Sequence, residues 1–577
     1  MHPGLAAIEP LMLEGRLDEA LAAARRLQQR SPRDPEIMLS VGQLLLMTGQ
    51  AEAGAFSLSQ AANLAPARRA EIAGLLLRFD RPKEAKVLFI ASQSAIGIFG
   101  LILCHIALDE TALAERLAQE LAGAPGQGLD VIEPLIALAR MNNIEGVIAL
   151  TAKLQAAAGL ARGPVLDTSL LMSACGSWTM SATEVAKLHA DAGRALVARA
   201  GSPPTDFPNS RDPDRPLVVG VVSQDFRNRS AGHFAEPIFA HIHPTRVKLI
   251  AYSNTPEHDD LTDRIQQHAT WVDIRSMTDA QLVRRIRDDR IDILLDLSGH
   301  TTMGRLGPFA ARAAPVQATY MGYPNTTGLP AMDARIVDAL TDPLGSESLA
   351  TERLVRLDGC FLCYAPPPHA PAVAPGPLAR GGPLTFGSFN ALHKITPPLL
   401  DLWAQILLAT PRSKLLLKNG GLSDPLEVAA LYLALAQRGV SRSRVVIKPP
   451  TATPAEHLAA YADVDIALDT YPYHGTTTTL EALWMGVPVV TLAGDRHVAR
   501  VGVSLLNNIG LPQLVAADPA SYTRIAAALG ADTARLAEWR GQLRPRLAAS
   551  VICDGPGFGR RFEAALRGLW HDWCRRS

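Results

Sequence analysis

Residues 465–491, DIALDTYPYHGTTTTLEALWMGVPVVT, decide the fold. An apolar run of strand length ends at Asp469-Thr470. A short loop follows, then Gly475, Thr476, Thr477, Thr478 and Thr479 open a helix that leads into a second apolar strand. Strand, loop, helix and strand in that order are the repeating unit of a parallel α/β sheet. The first N–H groups of a helix have no partner inside it, and hydroxyl side chains add donors, so such a start is a ready anion site. Glu481 lies within the first two turns, where a carboxylate can accept two hydrogen bonds from a ribose diol. One threonine would be enough to cap the helix. Four in a row followed by a carboxylate favour phosphate binding by Gly475, Thr476, Thr477 and Thr478 over capping alone.

The same alternation extends in both directions. LTFGSFN, SKLLLKN and VVIKPP read as strands, and PLLDLWAQILLATP, DPLEVAALYLALAQRG and AEHLAAYADV as helices. In FGSFNALHKITP, residues 386–397, Asn390 and Lys394 stand at the carboxyl end of a strand, where α/β sheets bind ligands. A lysine there can neutralise a diphosphate leaving group as charge develops on it. An isolated lysine is more often an ordinary surface residue. Upstream, PLVVGVVS, VKLIAYS and IDILLDLSG are strand-like, with the helical DAQLVRRIRDDR among them. Residues 365–383, APPPHAPAVAPGPLARGGP, break all periodicity and read as a linker. The expectation is two Rossmann-like lobes, residues 217–364 and 384–577, with ligand in the cleft at the strand ends.

The first third repeats itself. Gly15 aligns with Gly49, Ala20 with Gly54, Leu27 with Ala61 and Pro32 with Pro66, each 34 residues apart. That is the period of the tetratricopeptide repeat. Small residues let helices approach closely, and proline closes each unit. Weaker copies begin at Arg81, Asp109 and Asn143. A generic bundle of Ala/Leu-rich helices is the alternative. Residues 1–200 are therefore assigned to helical repeats and a helical connector, whose stacked concave surface suits a protein partner. The Pro-, Asp- and Ser-dense stretch 201–216 is a boundary.

Composition narrows the class. The 577 residues carry 56 basic and 56 acidic side chains, which argues against broad nucleic-acid binding. Six scattered cysteines fit a reducing compartment. Cys360-Phe-Leu-Cys363 has no second pair nearby to complete a zinc site, so both thiols are expected to be buried and inert. The N-terminus lacks the pattern of a signal peptide. The stretch Ile90–Leu108 is interrupted by Ser92, Gln93, Ser94 and His105, too often to span a membrane. A cytoplasmic protein is expected.

Together the segments resemble the protein O-GlcNAc transferases, in particular the SPINDLY-like branch, which includes protein O-fucosyltransferases. The resemblance runs from Val218 to Trp573. It is carried by VGVVSQDF, DLSGHTTMGRLGPFAARAAPVQATYMGYPNTTG, CFLCY, FGSFNALHKITP, LDTYPYHGTTTTLEALWMGVPVVTLAG, VGVSLLNNIGL and CDGPGF. It implies a GT-B fold and metal-independent, inverting transfer of a sugar from a nucleotide donor to Ser or Thr of a protein. UDP-GlcNAc is the first expectation for the donor, GDP-fucose the competitor. By resemblance Lys394 contacts the diphosphate, and Thr477 and Thr478 hold the phosphates. Glu481 binds the ribose, His457 lies against the nucleotide, and Gly322, Tyr323 and Pro324 line the sugar pocket.

One position departs from the family. A histidine is common after the Asp-Phe pair, but this chain reads DFRNRSAGHF and places Arg229 there. Arginine stays protonated and cannot act as a base. His233, four residues on, is the replacement candidate for catalysis, with capping or packing as its alternative role. A helix from Asn228 to Phe234 would put Arg229 and His233 on one face. Arg229 would then either pair with Asp225 or read an acidic donor sugar, as in a flagellin-type glycosyltransferase. An inactive scaffold is the reading from another class.

Overall fold

The computed structural model describes residues 3–13, 16–79, 81–92, 164–201, 206–255, 257–301, 303–367, 370–423 and 425–576, with single positions 97, 100, 101, 104, 105 and 204. The chain forms two compact units. One is Met1–Ser173 with Ala391–Pro450, the other Ala174–Asn390 with Thr451–Ser577. This division interleaves the chain.

The first unit opens with paired helices: α1 (Leu17–Arg30), α2 (Pro35–Met47), α3 (Ala51–Leu64), α4 (Arg69–Arg78) and α5 (Pro82–Ser92). The 34-residue period is visible in them: α3 follows α1 from 17 to 51 and from 30 to 64, and α4 starts at 69 where α2 starts at 35. Glycines set the closest approach. A Cβ on Gly54 would lie 2.9 Å from Gly42 O, and one on Gly42 3.1 Å from Gly54 O, so α2 and α3 pack backbone to backbone. Leu46, Leu58, Ile72, Leu76 and Phe89 fill the space between successive pairs. The weaker copies at Asp109 and Asn143 lie outside the described residues. The unit's other part holds two parallel strands, Lys414–Lys418 and Val445–Lys448, and the helix Pro425–Gln437. Ala429 of that helix joins the core of Leu21, Ile37, Val41 and Leu44. The N-terminal helices therefore share their core with a helix more than 300 residues away in sequence.

The second unit is built on a seven-stranded sheet: β1 (Leu217–Ser223), β2 (Val247–Ser253), β3 (Thr270–Asp273), β4 (Ile293–Asp296), β5 (Val316–Tyr320), β6 (Ala334–Asp338) and β7 (Arg353–Leu357). Its order is β3-β2-β1-β4-β5-β6-β7, with every neighbouring pair parallel. Covered on both faces, its central strands are apolar nearly throughout. Four strands of a second, six-stranded sheet also lie in this unit: β8 (Thr385–Ser388), β9 (Ile466–Leu468), β10 (Val489–Leu492) and β11 (Val515–Ala516). They pair in parallel in that order.

Helix α6 (Ala182–Ala200) starts at a reciprocal cap between Ser181 and Glu184 and packs Leu196 and Val197 against the core of the seven-stranded sheet. Its contact with the loop after β5 has no room for side chains. A Cβ on Gly193 would lie 1.9 Å from Gly328 O, and one on Gly328 1.9 Å from His189 O. Gly328 also has φ +71°. The last helix, Gly555–Arg575, does not stay with the second sheet. Phe562 stacks edge-on against Tyr320 of β5 at 5.0 Å, and Gly559 abuts the backbone of His241. Cys360 and Cys363 are buried, and burial pushes both thiols up to about 12. Among the described residues no helix is long and apolar enough to cross a membrane.

Gly328→Ala meets both the clash and the left-handed backbone. It is expected to cost at least about 2 kcal/mol of stability. Denaturant unfolding of the full chain measures this, and an unchanged midpoint would mean that α6 is not held by the glycine contact.

Candidate active site

The site is framed by a buried carboxylate. Asp469 follows β9 and is 2% exposed. Its Oδ1 accepts the N–H of Thr470 at 2.9 Å and of Gly475 at 2.7 Å, and its Oδ2 accepts the Thr491 hydroxyl at 2.7 Å. The loop 470–475 is thereby folded back onto the strand end. His474 finishes the bracing: its Nδ1 accepts Gly502 N–H at 3.0 Å, so Nε2 carries the proton and donates to Leu492 O at 2.8 Å. The ring is therefore neutral. Both residues stand in the decisive motif, yet sequence reasoning gave neither a role.

Helix α7 (Ser230–His241), α8 (Pro454–Ala459) and α9 (Thr477–Trp484) bring the other groups. The four threonines divide their work. Thr476, at the N-cap of α9, makes no side-chain cap. The Thr477 hydroxyl is buried with no partner. Thr478 donates to Asn390 Oδ1 at 3.0 Å, and Thr479 donates to Gly475 O at 3.2 Å. Only glycine fits at 475, since a Cβ would lie 2.4 Å from the Thr478 hydroxyl and 2.9 Å from Asn390 Oδ1. A helix start with an uncapped end and an unpaired hydroxyl has the chemistry of an anion site. A small cleft lined by Ser388, Phe389, Asn390, Tyr461, Asp469 and Thr478 lies beside it.

Glu481, on the next turn of α9, is already oriented. Its Oε2 lies 3.1 Å from His457 Nε2 and 3.5 Å from the Tyr461 hydroxyl, which also donates to Thr478 O at 3.1 Å. Phe389 packs against Tyr461 at 4.3 Å and edge-on to His457 at 5.7 Å. His457 and Glu481 thus come together.

His233 lies in the first turn of α7 and is half-buried. Burial holds its pKa below the usual histidine range, and the negative charge of Glu481 is the largest opposing influence. His233 and Glu481 are therefore electrostatic neighbours, and a neutral imidazole can accept a proton. The shared face expected for Arg229 and His233 is not formed. Helix α7 begins at Ser230, and Arg229 precedes it in extended conformation, φ −134° and ψ 165°. Arg229 is exposed, and its charge acts on Asp225 only as a lesser influence behind burial and Arg227, without the expected helical i,i+4 geometry. The helix starts at Ser230, two residues after the expected Asn228, whose N–H donates to the Asp259 carboxylate at 2.6 Å.

Gly322, Tyr323 and Pro324 follow β5. A Cβ on Gly322 would lie 1.6 Å from Leu297 O, so the two chain segments touch backbone to backbone. The Tyr323 ring turns inward and is 3% exposed. Its hydroxyl donates to His189 Nε2 at 2.7 Å and accepts from the Cys175 thiol at 3.5 Å, while His189 Nδ1 donates to Val185 O at 2.7 Å. The next residues are held by Glu352, whose carboxylate accepts the Thr327 N–H at 2.7 Å and the Thr326 hydroxyl at 2.5 Å. No sequence signal marked His189, Cys175 or Glu352. Lys394 belongs to the other compact unit, where it is half-buried at the end of the turn Leu392–Lys394, with its N–H donating to Ala391 O at 3.0 Å.

Two outcomes follow from these bonds. An unpaired buried hydroxyl is a cost to the free protein. Thr477→Val should therefore leave the melting temperature equal or higher while weakening nucleoside diphosphate binding about tenfold. Unaltered affinity in calorimetry would remove Thr477 from the site. His189 is fully enclosed, and its pKa falls to about 3, mainly through burial. The unfolded chain takes that proton first, so stability is complete above pH 6.5 and declines as pH falls from there toward 3. Between pH 6.5 and 5 the loss should be about 2 kcal/mol, and His189→Gln should flatten that part of the stability profile.

The sequence matches the profile of Glycosyl transferase family 41 over residues 179–364 and 381–558. The chain is 42% identical over 376 residues to a probable UDP-N-acetylglucosamine–peptide N-acetylglucosaminyltransferase SPINDLY of Arabidopsis thaliana, covering 64% of this chain and 41% of that protein. It is 27% identical over 410 residues to the probable UDP-N-acetylglucosamine–peptide N-acetylglucosaminyltransferase SEC of the same plant, covering 68% and 42%. The chain thus spans about two fifths of the length of these curated relatives. Among solved structures, a mutant O-GlcNAc transferase of Thermobaculum terrenum matches with a TM-score of 0.72 at 34% identity, over 100% of this chain and 99% of that one. The family match starts at residue 179, just ahead of α6, in keeping with the docking of that helix on the seven-stranded sheet. With its two parallel Rossmann-like sheets of GT-B type, the chain belongs to glycosyl transferase family 41.

Proposed function

We propose that this chain is an inverting, metal-independent nucleotide-sugar:protein O-glycosyltransferase that transfers GlcNAc from UDP-GlcNAc to Ser or Thr of a protein. The observation that carries the reading is the start of α9. The helix end is uncapped, the Thr477 hydroxyl is unpaired, and Glu481 stands one turn on, already held by His457 and Tyr461. This arrangement suits a diphosphate at the helix start and a ribose at the carboxylate. The relatives named above are transferases to peptide, which supports a protein acceptor. The N-terminal helical pairs offer it a surface.

In this mechanism His233, neutral at pH 7, takes the proton of the acceptor hydroxyl. The hydroxyl oxygen forms a bond to the anomeric carbon as the bond from that carbon to the diphosphate oxygen breaks. The leaving diphosphate keeps the electron pair. The α9 N–H groups and Thr477 stabilise its charge, and Gly322 and Pro324 bound the sugar. Stabilisation that grows as the bond breaks raises turnover more than affinity.

Titration calorimetry with UDP, GDP and CMP tests the reading. Tightest binding of UDP is expected. Tightest binding of GDP would point to GDP-fucose, and of CMP to an acidic sugar, for which the exposed Arg229 provides a cation. No binding by any of them would leave a scaffold. Lys394→Ala should lower turnover at least about a hundredfold with the fold intact. An unchanged rate would refute its role.

A further inference from the structure

Tyr364 closes the CFLCY segment, 2% exposed, with its backbone N–H bonded to Ile552 O at 2.8 Å. Its ring lies 6.2 Å from that of Phe234, the residue after His233. Its hydroxyl is buried and has no hydrogen-bond partner. Nearly every buried polar group in a folded protein is paired, and one left over calls for an explanation. The neighbourhood supplies it. After burial, the strongest influence on the Tyr364 phenol is the negative charge of Glu481, and Tyr364 in turn acts on Tyr461. Tyr461 and His457 already take Glu481 Oε2 from one side. The phenol therefore lies within electrostatic range of a carboxylate to which it is not bonded. Both influences keep it protonated, and so a donor, at neutral pH.

A sugar hydroxyl has the bonding pattern that completes this set. It donates its proton to a carboxylate and accepts another through its oxygen. We infer that Tyr364 is a further donor-binding residue, whose phenol hydrogen-bonds the oxygen of a ribose hydroxyl held by Glu481. The inference rests on the nucleotide reading above and adds a second recognition group to the ribose site. It also gives the phenol a use that its packing does not require, since phenylalanine would fill the same space.

The test is a coupling measurement on the full chain. Binding of UDP, 2′-deoxy-UDP and 3′-deoxy-UDP to wild type and Tyr364→Phe is measured by calorimetry, or of the GDP series where GDP is the tighter ligand. The apoprotein should melt at the same temperature or higher, because the variant loses only an unpaired hydroxyl. Its affinity for the ribonucleotide should fall about tenfold. For one of the two deoxynucleotides the loss should vanish, because the bond is already gone. Equal losses on all three ligands, or no loss on the ribonucleotide, overturn the inference while leaving the nucleotide site standing. A wild-type protein that binds none of the nucleotides overturns both.

Discussion

The geometry of the site depends on one buried carboxylate. Burying Asp469 costs solvation, which its two backbone N–H donors and the Thr491 hydroxyl offset. In return the loop 470–475 is fixed in one path, and Gly475 delivers the start of α9 beside the strand ends. Tyr522 donates to the Asp469 carbonyl at 2.9 Å, so the backbone is held as well as the side chain. Asn390, Thr478, Glu481 and His457 all take their positions from that helix start. A shift of the loop would move the helix start with it, which places much of the precision of the site in Asp469.

The loop after β5 is stiffened by different means. Around Tyr323 and Glu352 the polar groups are satisfied among themselves, in a chain running from Cys175 through Tyr323 and His189 to Val185 O. Adding a proton to His189 would break that chain, because both ring nitrogens would then be donors facing one acceptor and one committed hydroxyl. The glycine contact between α6 and Gly328 ties the same loop to a helix that precedes the first strand. Helix α6 therefore works as part of the catalytic framework, although composition alone groups it with the helices upstream.

Much of this was legible in the sequence, for reasons that differ by element. The apolar strands and the threonine-opened helix are local patterns, and they formed where the period-2 and period-3.6 signals put them. The 34-residue repeat was readable because glycine and alanine recur where α2 and α3 touch. Glu481 and His457 were found through resemblance, and the structure brings them within hydrogen-bond distance. What was hidden is long-range. Glu352 reaches a loop 25 residues away, and the last helix returns to the seven-stranded sheet, neither of which leaves a local trace. Arg229 was misplaced because helical spacing was extended two residues ahead of the true start at Ser230, which leaves Arg229 in extended backbone.

The four threonines show how the chain separates stability from binding within one motif. Thr478 and Thr479 spend their hydroxyls inside the protein and hold Asn390 and the loop carbonyl. Thr476 declines the capping role its position offers, and Thr477 keeps an unpaired hydroxyl. A sequence selected only for folding would cap this helix, since a cap is worth about 1 kcal/mol. Leaving the end open concentrates unspent donors beside side chains that are already bonded, Thr478, Thr479 and Asn390 among them. A ligand that supplies the missing acceptors then gains bonds without first breaking any, and without ordering side chains that are already fixed. That asymmetry, bonded neighbours around an unsatisfied centre, is the feature on which the proposed phosphate site rests.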